Sequence, residues 1–122
     1  MAHKILVTDD EPNIVRLIQI HLERRGYLVV TASNGQEALE KIHSERPDAV
    51  ILDIRMPVVD GLEVLQQSRL NPDLAQLRFI IISEPIVYEE ISDGIRAGDY
   101  KYLCKPFLPG ELMDMVDELF VA

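Results

Sequence analysis

The 122-residue chain has a single cysteine, no long apolar run and far fewer basic than acidic residues. Each shortage removes a class of protein. One cysteine, Cys104, excludes an internal disulfide, and its place in the short apolar run Tyr102–Cys104 favours a packed thiol over a nucleophile. No stretch approaches the roughly 20 apolar residues of a membrane-spanning helix. Met1-Ala2-His3-Lys4 leads directly into a strand pattern rather than a secretory leader, so a cytoplasmic protein without membrane contact is expected. Twelve Lys+Arg against 21 Asp+Glu give a formal charge of -9, which disfavours direct contact with nucleic-acid phosphate and suits cations or a basic protein partner. Linkers, repeats and low-complexity tracts are also missing. A chain of 122 residues with 48% hydrophobic content matches one domain, residues 1–122, around one core.

What is present is an alternation of short apolar runs with amphipathic segments. Ile5-Leu6-Val7 is continuous enough to be buried on both faces and reads as a central parallel strand. Pro12 suits a first helical turn, and Ile14, Leu17, Ile18 and Leu22 recur at helical spacing until Gly26 offers a left-handed stop. Tyr27–Thr31 is the second strand. Ser33-Asn34-Gly35 opens a helix with Ala38, Leu39 and Ile42 on one stripe, ending before Pro47. Ala49–Leu52 is the third strand, and Asp60-Gly61 opens a helix through Leu62, Val64 and Leu65 that gives way near Asn71-Pro72. Phe79–Ile82 is a buried fourth strand, followed by a weaker fourth helix with Ile91, Ile95 and Ala97. Tyr102–Cys104 is a short last strand, and Pro109-Gly110-Glu111 leads into a fifth helix with Leu112, Met113, Val116, Leu119 and Phe120.

Five strands alternating with five helices require right-handed crossovers, which puts helices on both faces of a parallel sheet. The expected fold is α/β, a flavodoxin-like doubly wound (βα)5 three-layer sandwich with strand order 2-1-3-4-5 and a ligand crevice at its topological switch point. That order gathers Asp9, Asp10 and Asp53 at one crevice, with Ser83 and Lys105 arriving from the fourth and fifth strands. Three clustered carboxylates repel unless a cation lies among them, and hard oxygen ligands favour Mg²⁺. Asp53, at a strand end, has a carboxylate able to attack phosphorus and form an acyl phosphate. Ser83 can donate to a phosphoryl oxygen and Lys105 can neutralise its charge. Each has a plainer reading: Asp9 and Asp10 as caps of the next helix, Asp53 and Ser83 as turn residues, Lys105 as a solvated side chain. The plainer readings must hold independently at four strand ends, which makes coincidence the poorer account.

Ile5-Leu6-Val7-Thr8-Asp9-Asp10-Glu11-Pro12, Leu52-Asp53-Ile54-Arg55-Met56-Pro57, Asp60-Gly61, Ala97-Gly98 and Lys105-Pro106-Phe107 resemble, in order and interval, the receiver domain of two-component response regulators. The resemblance implies that Asp53 is phosphorylated by a histidine kinase or phosphotransfer protein. It implies Mg²⁺ held by Asp10, Asp53, the backbone carbonyl of Arg55, and Asp9 directly or through water. Ser83 and Lys105 would contact phosphoryl oxygens, and Lys105–Pro106 would be cis. The resemblance further implies a switch in which Ser83 moves inward and Tyr102 follows, altering the surface of the fourth helix, last strand and fifth helix for a downstream effector domain or protein and admitting a homodimer there. Such a domain is a self-dephosphorylating signalling switch, not a turnover enzyme. Tyr102 in a short edge strand could equally be simple packing, with Tyr100 on the same strand face, and Phe107 reads as an anchor for the last helix.

Two positions depart from the pattern. Glu84 stands where relatives generally carry a small residue, and Arg55 is unusual two residues after Asp53. A carboxylate at Glu84 could repel an incoming phosphoryl group and slow turnover, or point outward toward Arg55. Arg55 could shield an acyl phosphate or simply be a solvated loop residue. Glu84 also raises the alternative of a pseudo-receiver that binds partners without accepting phosphate. A phosphohydrolase with an Asp nucleophile is a further option, against which stands Arg55 in the place of that class's second Asp.

Overall fold

A computed structural model describes residues 2–56, 59–84 and 100–121. Five strands form one parallel sheet in the order β2-β1-β3-β4-β5, as the topology rules require: β1 Lys4–Thr8, β2 Leu28–Ala32, β3 Ala49–Asp53, β4 Arg78–Ser83 and β5 Lys101–Cys104. Four helices are described, α1 Pro12–Arg24, α2 Gly35–Glu45, α3 Gly61–Leu70 and α4 Pro109–Leu119. The helix expected around Ile91, Ile95 and Ala97 lies outside the described residues, as do Pro57 and Ala97-Gly98. No helix among the described residues is long and apolar enough to cross a membrane.

The three central strands are buried on both faces, and their alternation divides the core in two. Leu6, Val50, Leu52, Phe79 and Ile81 pack with Ala38 and Ile42 of α2 and Val64 and Leu65 of α3. Ile5, Val7, Ile51, Ile80 and Ile82 pack with Ile18 and Leu22 of α1 and Leu112, Met113 and Val116 of α4. β1 and β3 run parallel, but strands are added to opposite sides of them, and this switch in strand order leaves the crevice at their carboxyl ends.

Helix starts follow the sequence closely. The side chains of Asn34 and Asp60 accept from the backbone N–H of Glu37 and Glu63, so both act as N-caps. Helix ends follow the sequence as well: α1 ends at Arg24 ahead of Gly26 at φ 91°, α2 ends at Glu45 before Pro47, and α3 ends at Leu70 beside Asn71. Arg46, not a glycine, takes the left-handed position after α2, with φ 49°. Leu17, expected on the buried stripe of α1, is exposed, because Ile14, Val15, Ile18 and Leu22 already cover the sheet. Met115 is half-buried against the second core cluster. Phe107 packs in the same cluster and anchors the start of α4.

At the opposite end of the sheet α4 is clasped by long-range contacts. The Tyr27 hydroxyl donates to Asp117, Arg25 pairs with Asp117 and with Asp114 at 3.5 Å, and His3 stacks on Phe120 with centroids 3.9 Å apart. Burial, and then the Asp117 carboxylate, push the Tyr27 hydroxyl up to about 12.

Thr8 is fully buried at the end of β1, and its hydroxyl has no hydrogen-bond partner among the described residues. An orphaned buried hydroxyl costs roughly 1–3 kcal/mol, and replacing it by a methyl removes that cost without changing shape. Thr8→Val should therefore raise the urea midpoint with an unchanged slope, a gain of about 1 kcal/mol; a lowered midpoint would show that Thr8 has a partner or a role.

Candidate receiver site

Four strand ends supply the site. Asp9 directly follows β1, and its N–H bonds Ala32 O at 3.3 Å while its Oδ1 accepts from Glu11 N–H at 3.0 Å. The β1 end is thus fixed to β2 and to the start of α1 at once. Asp9 is buried and Asp10 is exposed. Neither caps α1 in the expected sense: the N-cap is Glu11, without a side-chain cap, and Pro12 supplies the first turn.

Asp53 closes β3 and is almost fully buried, with Oδ1 accepting from Arg55 N–H at 3.1 Å. The start of α3 locks the same segment. Gly61 N–H donates to Ile54 O at 2.8 Å, and a Cβ on Gly61 would lie 2.3 Å from Asp53 O and 2.7 Å from Ile54 Cα. Only glycine permits so close an approach of helix to strand end.

Lys105 is delivered by β5 and a cis Lys105–Pro106 peptide. Its backbone N–H bonds Ser83 O at 2.8 Å, and its Nζ lies 3.0 Å from Asp9 Oδ2, 3.0 Å from Asp53 Oδ2 and 3.7 Å from Glu11 Oε1. With its side chain only 12% exposed, Lys105 is not a solvated surface lysine. It is a bridge across the sheet.

The electrostatics follow from that geometry. Burial, reinforced by Asp9, pushes the Asp53 carboxyl up to about 6 despite the hydrogen bonds from Lys105 and Arg55. For Lys105 burial opposes the charge, but Asp53 and Asp9 outweigh it and hold the ammonium above the usual lysine range. One cation thus faces three carboxylates, since oxygen atoms of Asp9, Asp10 and Asp53 all lie within 4.8 Å of one another. Such an excess of hard anionic oxygen fits a divalent cation such as Mg²⁺, with ligands from two loops.

Ser83 is fully buried at the end of β4, and its hydroxyl donates to Glu84 O at 3.2 Å. Tyr102 packs on the same core cluster as Tyr100, and its hydroxyl donates to Ser83 O and Glu84 O, both at 3.4 Å. Glu84 and Arg55 are exposed and form no ion pair with each other. Cys104 is half-buried, its Sγ 3.4 Å from Lys105 O. The sequence reading missed the Lys105–Asp9 bridge; the only signal for it was the adjacency of β1 and β3 at the switch point, which brings both carboxylates to one amine.

Comparison with known proteins agrees with the geometry. Residues 5–117 match the family model described as the response regulator receiver domain. The chain is 45% identical over 114 residues to the alkaline phosphatase synthesis transcriptional regulatory protein PhoP of Bacillus subtilis, covering 92% of this chain and 46% of that protein. It is 41% identical over 113 residues to the response regulator MprA of Mycolicibacterium vanbaalenii, covering 93% and 48%. The chain therefore spans about half the length of the curated relatives it matches. The structure of the chemotaxis response regulator CheY4 of Vibrio cholerae superposes with a TM-score of 0.88 at 29% identity, covering 98% of this chain and 100% of that one. The receiver domain of Francisella response regulator 1452 superposes with a TM-score of 0.85 at 32% identity, covering 96% and 95%. Sheet order, the acidic strand ends and the match across residues 5–117 place the chain in the response regulator receiver domain family of two-component signalling.

Proposed function

We propose that this domain, residues 1–122, accepts a phosphoryl group on Asp53 from a histidine kinase or phosphotransfer protein and relays the change to a downstream effector. The observation that carries the reading is the bridge of Lys105 Nζ to Asp9 and Asp53, 3.0 Å from each, beside a third carboxylate, Asp10. A packing or capping role needs no buried ammonium between two buried carboxylates.

Asp9, Asp10 and Asp53, with the carbonyl of Arg55, are the groups that would hold Mg²⁺. When bound, the ion supplies neutralisation of charge on the phosphoryl oxygens. Asp53 Oδ attacks phosphorus of the phosphohistidine, the P–N bond breaks, and its electron pair stays on the imidazole nitrogen. Lys105 follows the charge from carboxylate to phosphoryl oxygen over a short distance. Hydrolysis by water then returns Asp53 to its carboxylate, so the domain limits the life of its own signal.

The switch is part of the same reading. The phosphoryl group adds a charge of about -1.5 to -2, and turning Ser83 Oγ toward it breaks the bond to Glu84 O. Tyr102, bonded to the carbonyls of Ser83 and Glu84, is positioned to respond and so to change β5 and the helices beside it. That surface is the one offered to an effector or to a second copy. Exposure of Glu84 and Arg55 at the rim supports their role as modulators of phosphate entry and loss rather than as a block. A pseudo-receiver would leave the buried ammonium without a purpose.

Incubation with Mg²⁺ and a small acyl phosphate should add one phosphoryl group by mass, and Asp53→Asn should add none. Glu84→Ala and Arg55→Ala should remain phosphorylatable with altered half-lives of the phosphorylated form. An unmodified wild-type mass would favour the pseudo-receiver, and unchanged half-lives would remove the modulator roles.

Asp53 also predicts a pH dependence. Its folded pKa of about 6 lies above its ordinary 3.8, so between those values the folded chain holds more protons than the unfolded one. The stability tied to this group is present at low pH and is lost as pH rises to about 6. In Mg²⁺-free buffer Asp53→Asn should melt above wild type at neutral pH, with the gain vanishing toward pH 4; a lower melting point at neutral pH would contradict the sign.

A further inference from the structure

A second glycine approaches the phosphoacceptor segment from outside the site. Gly35 is the first residue of α2, and a Cβ placed on it would lie 1.8 Å from the carbonyl oxygen of Val59, 2.6 Å from the carbonyl carbon and 2.8 Å from Val59 Cβ. The first two are backbone atoms, so no rotamer change relieves the contact. The oxygen would have to retreat by more than an ångström.

We propose that Gly35 is a positioning residue for the Asp53 site: its bare Cα is the seat on which the Val59 carbonyl rests, and this contact fixes the loop that carries Asp53, Ile54 and Arg55. The inference rests on Asp53 being the phosphoacceptor. Val59 immediately precedes the α3 cap Asp60, and Gly61 is already locked to Ile54 by a 2.8 Å hydrogen bond and close backbone contact. Val59 is thus seated on α2 at Gly35, and Gly61, two residues on, is seated on the end of its own strand. Val59 is two residues from Gly61, and Gly61 is bonded to Ile54, so a displacement of Val59 is passed to Ile54 and its neighbour Arg55, whose N–H orients Asp53 Oδ1 and whose carbonyl belongs to the proposed metal ligands. The location of Val59 O also suits it. It lies against the positive end of α2, where a carbonyl dipole is favourable. An ångström of misplacement in such a site costs up to about 100-fold in rate.

The test compares wild type, Gly35→Ala and Ile42→Val, the last a mild core truncation on the same helix. For each, thermal unfolding, the rate of phosphorylation by an acyl phosphate and the Mg²⁺ concentration giving half that rate are measured, with the Arg55 amide resonance recorded without phosphate. Gly35→Ala should phosphorylate at least about tenfold more slowly at saturating Mg²⁺, need more Mg²⁺, and shift the Arg55 amide. Ile42→Val should lose stability alone. A folded Gly35→Ala with wild-type rate, Mg²⁺ requirement and amide position overturns the proposal. If Gly35→Ala does not fold, Val59→Gly, which leaves the seat open and removes the side chain that holds the loop on it, takes its place. The same losses are then expected, and unchanged values overturn the proposal. Absence of phosphate on the wild type sinks the phosphoacceptor reading instead, while the Arg55 amide still decides whether Gly35 sets the loop.

Discussion

The structure depends on a charge imbalance at the carboxyl end of the sheet. Lys105 is the one ammonium within ion-pair reach of Asp9 and Asp53 among the described residues, and it is shared between them. In a buried setting this arrangement costs desolvation of every member and is retained only if the geometry or the chemistry requires it. Every surrounding feature serves to hold it: Asp9 tied to Glu11 N–H and through its own N–H to β2, Asp53 tied to Arg55 N–H, Lys105 tied through its backbone to Ser83. Burial, and then the neighbouring Asp9, raise the Asp53 carboxyl in the same setting.

That imbalance links fold to signalling. A site with surplus negative charge favours a divalent cation, and under the proposed function that cation would make room for a phosphoryl group otherwise repelled. Because Ser83 and Lys105 share a backbone hydrogen bond and Tyr102 bonds the carbonyls beside Ser83, the site is wired to β5 by main-chain contacts rather than by a remote path. Under the proposed function, a charge change at Asp53 would therefore become a packing change at the edge strand.

The strands and helix starts were legible because their signals are local. Continuous apolar runs marked β1, β3 and β4, and Asn34 and Asp60 announced their caps one turn ahead. The convergence of Asp9, Asp53 and Lys105 was legible through topology, since right-handed crossovers leave few sheet orders open. What escaped the sequence is set by distant partners. Leu17 is exposed because Val15 and its neighbours fill the sheet-facing stripe, Arg46 takes a left-handed conformation in place of glycine, and Tyr27 finds Asp117 ninety residues away. The unequal burial of Asp9 and Asp10 and the seating of Val59 on Gly35 likewise arise only once the loops are packed.

The central claim is that Lys105 holds buried carboxylates together, and it is tested most directly by equilibrium unfolding of Lys105→Met with and without Asp53→Asn in Mg²⁺-free buffer at pH 7. Lys105→Met alone should lose on the order of 3 kcal/mol, as expected when a buried charge is left unpaired, and adding Asp53→Asn should restore a substantial part of it. Equal stabilities of wild type and Lys105→Met would contradict it.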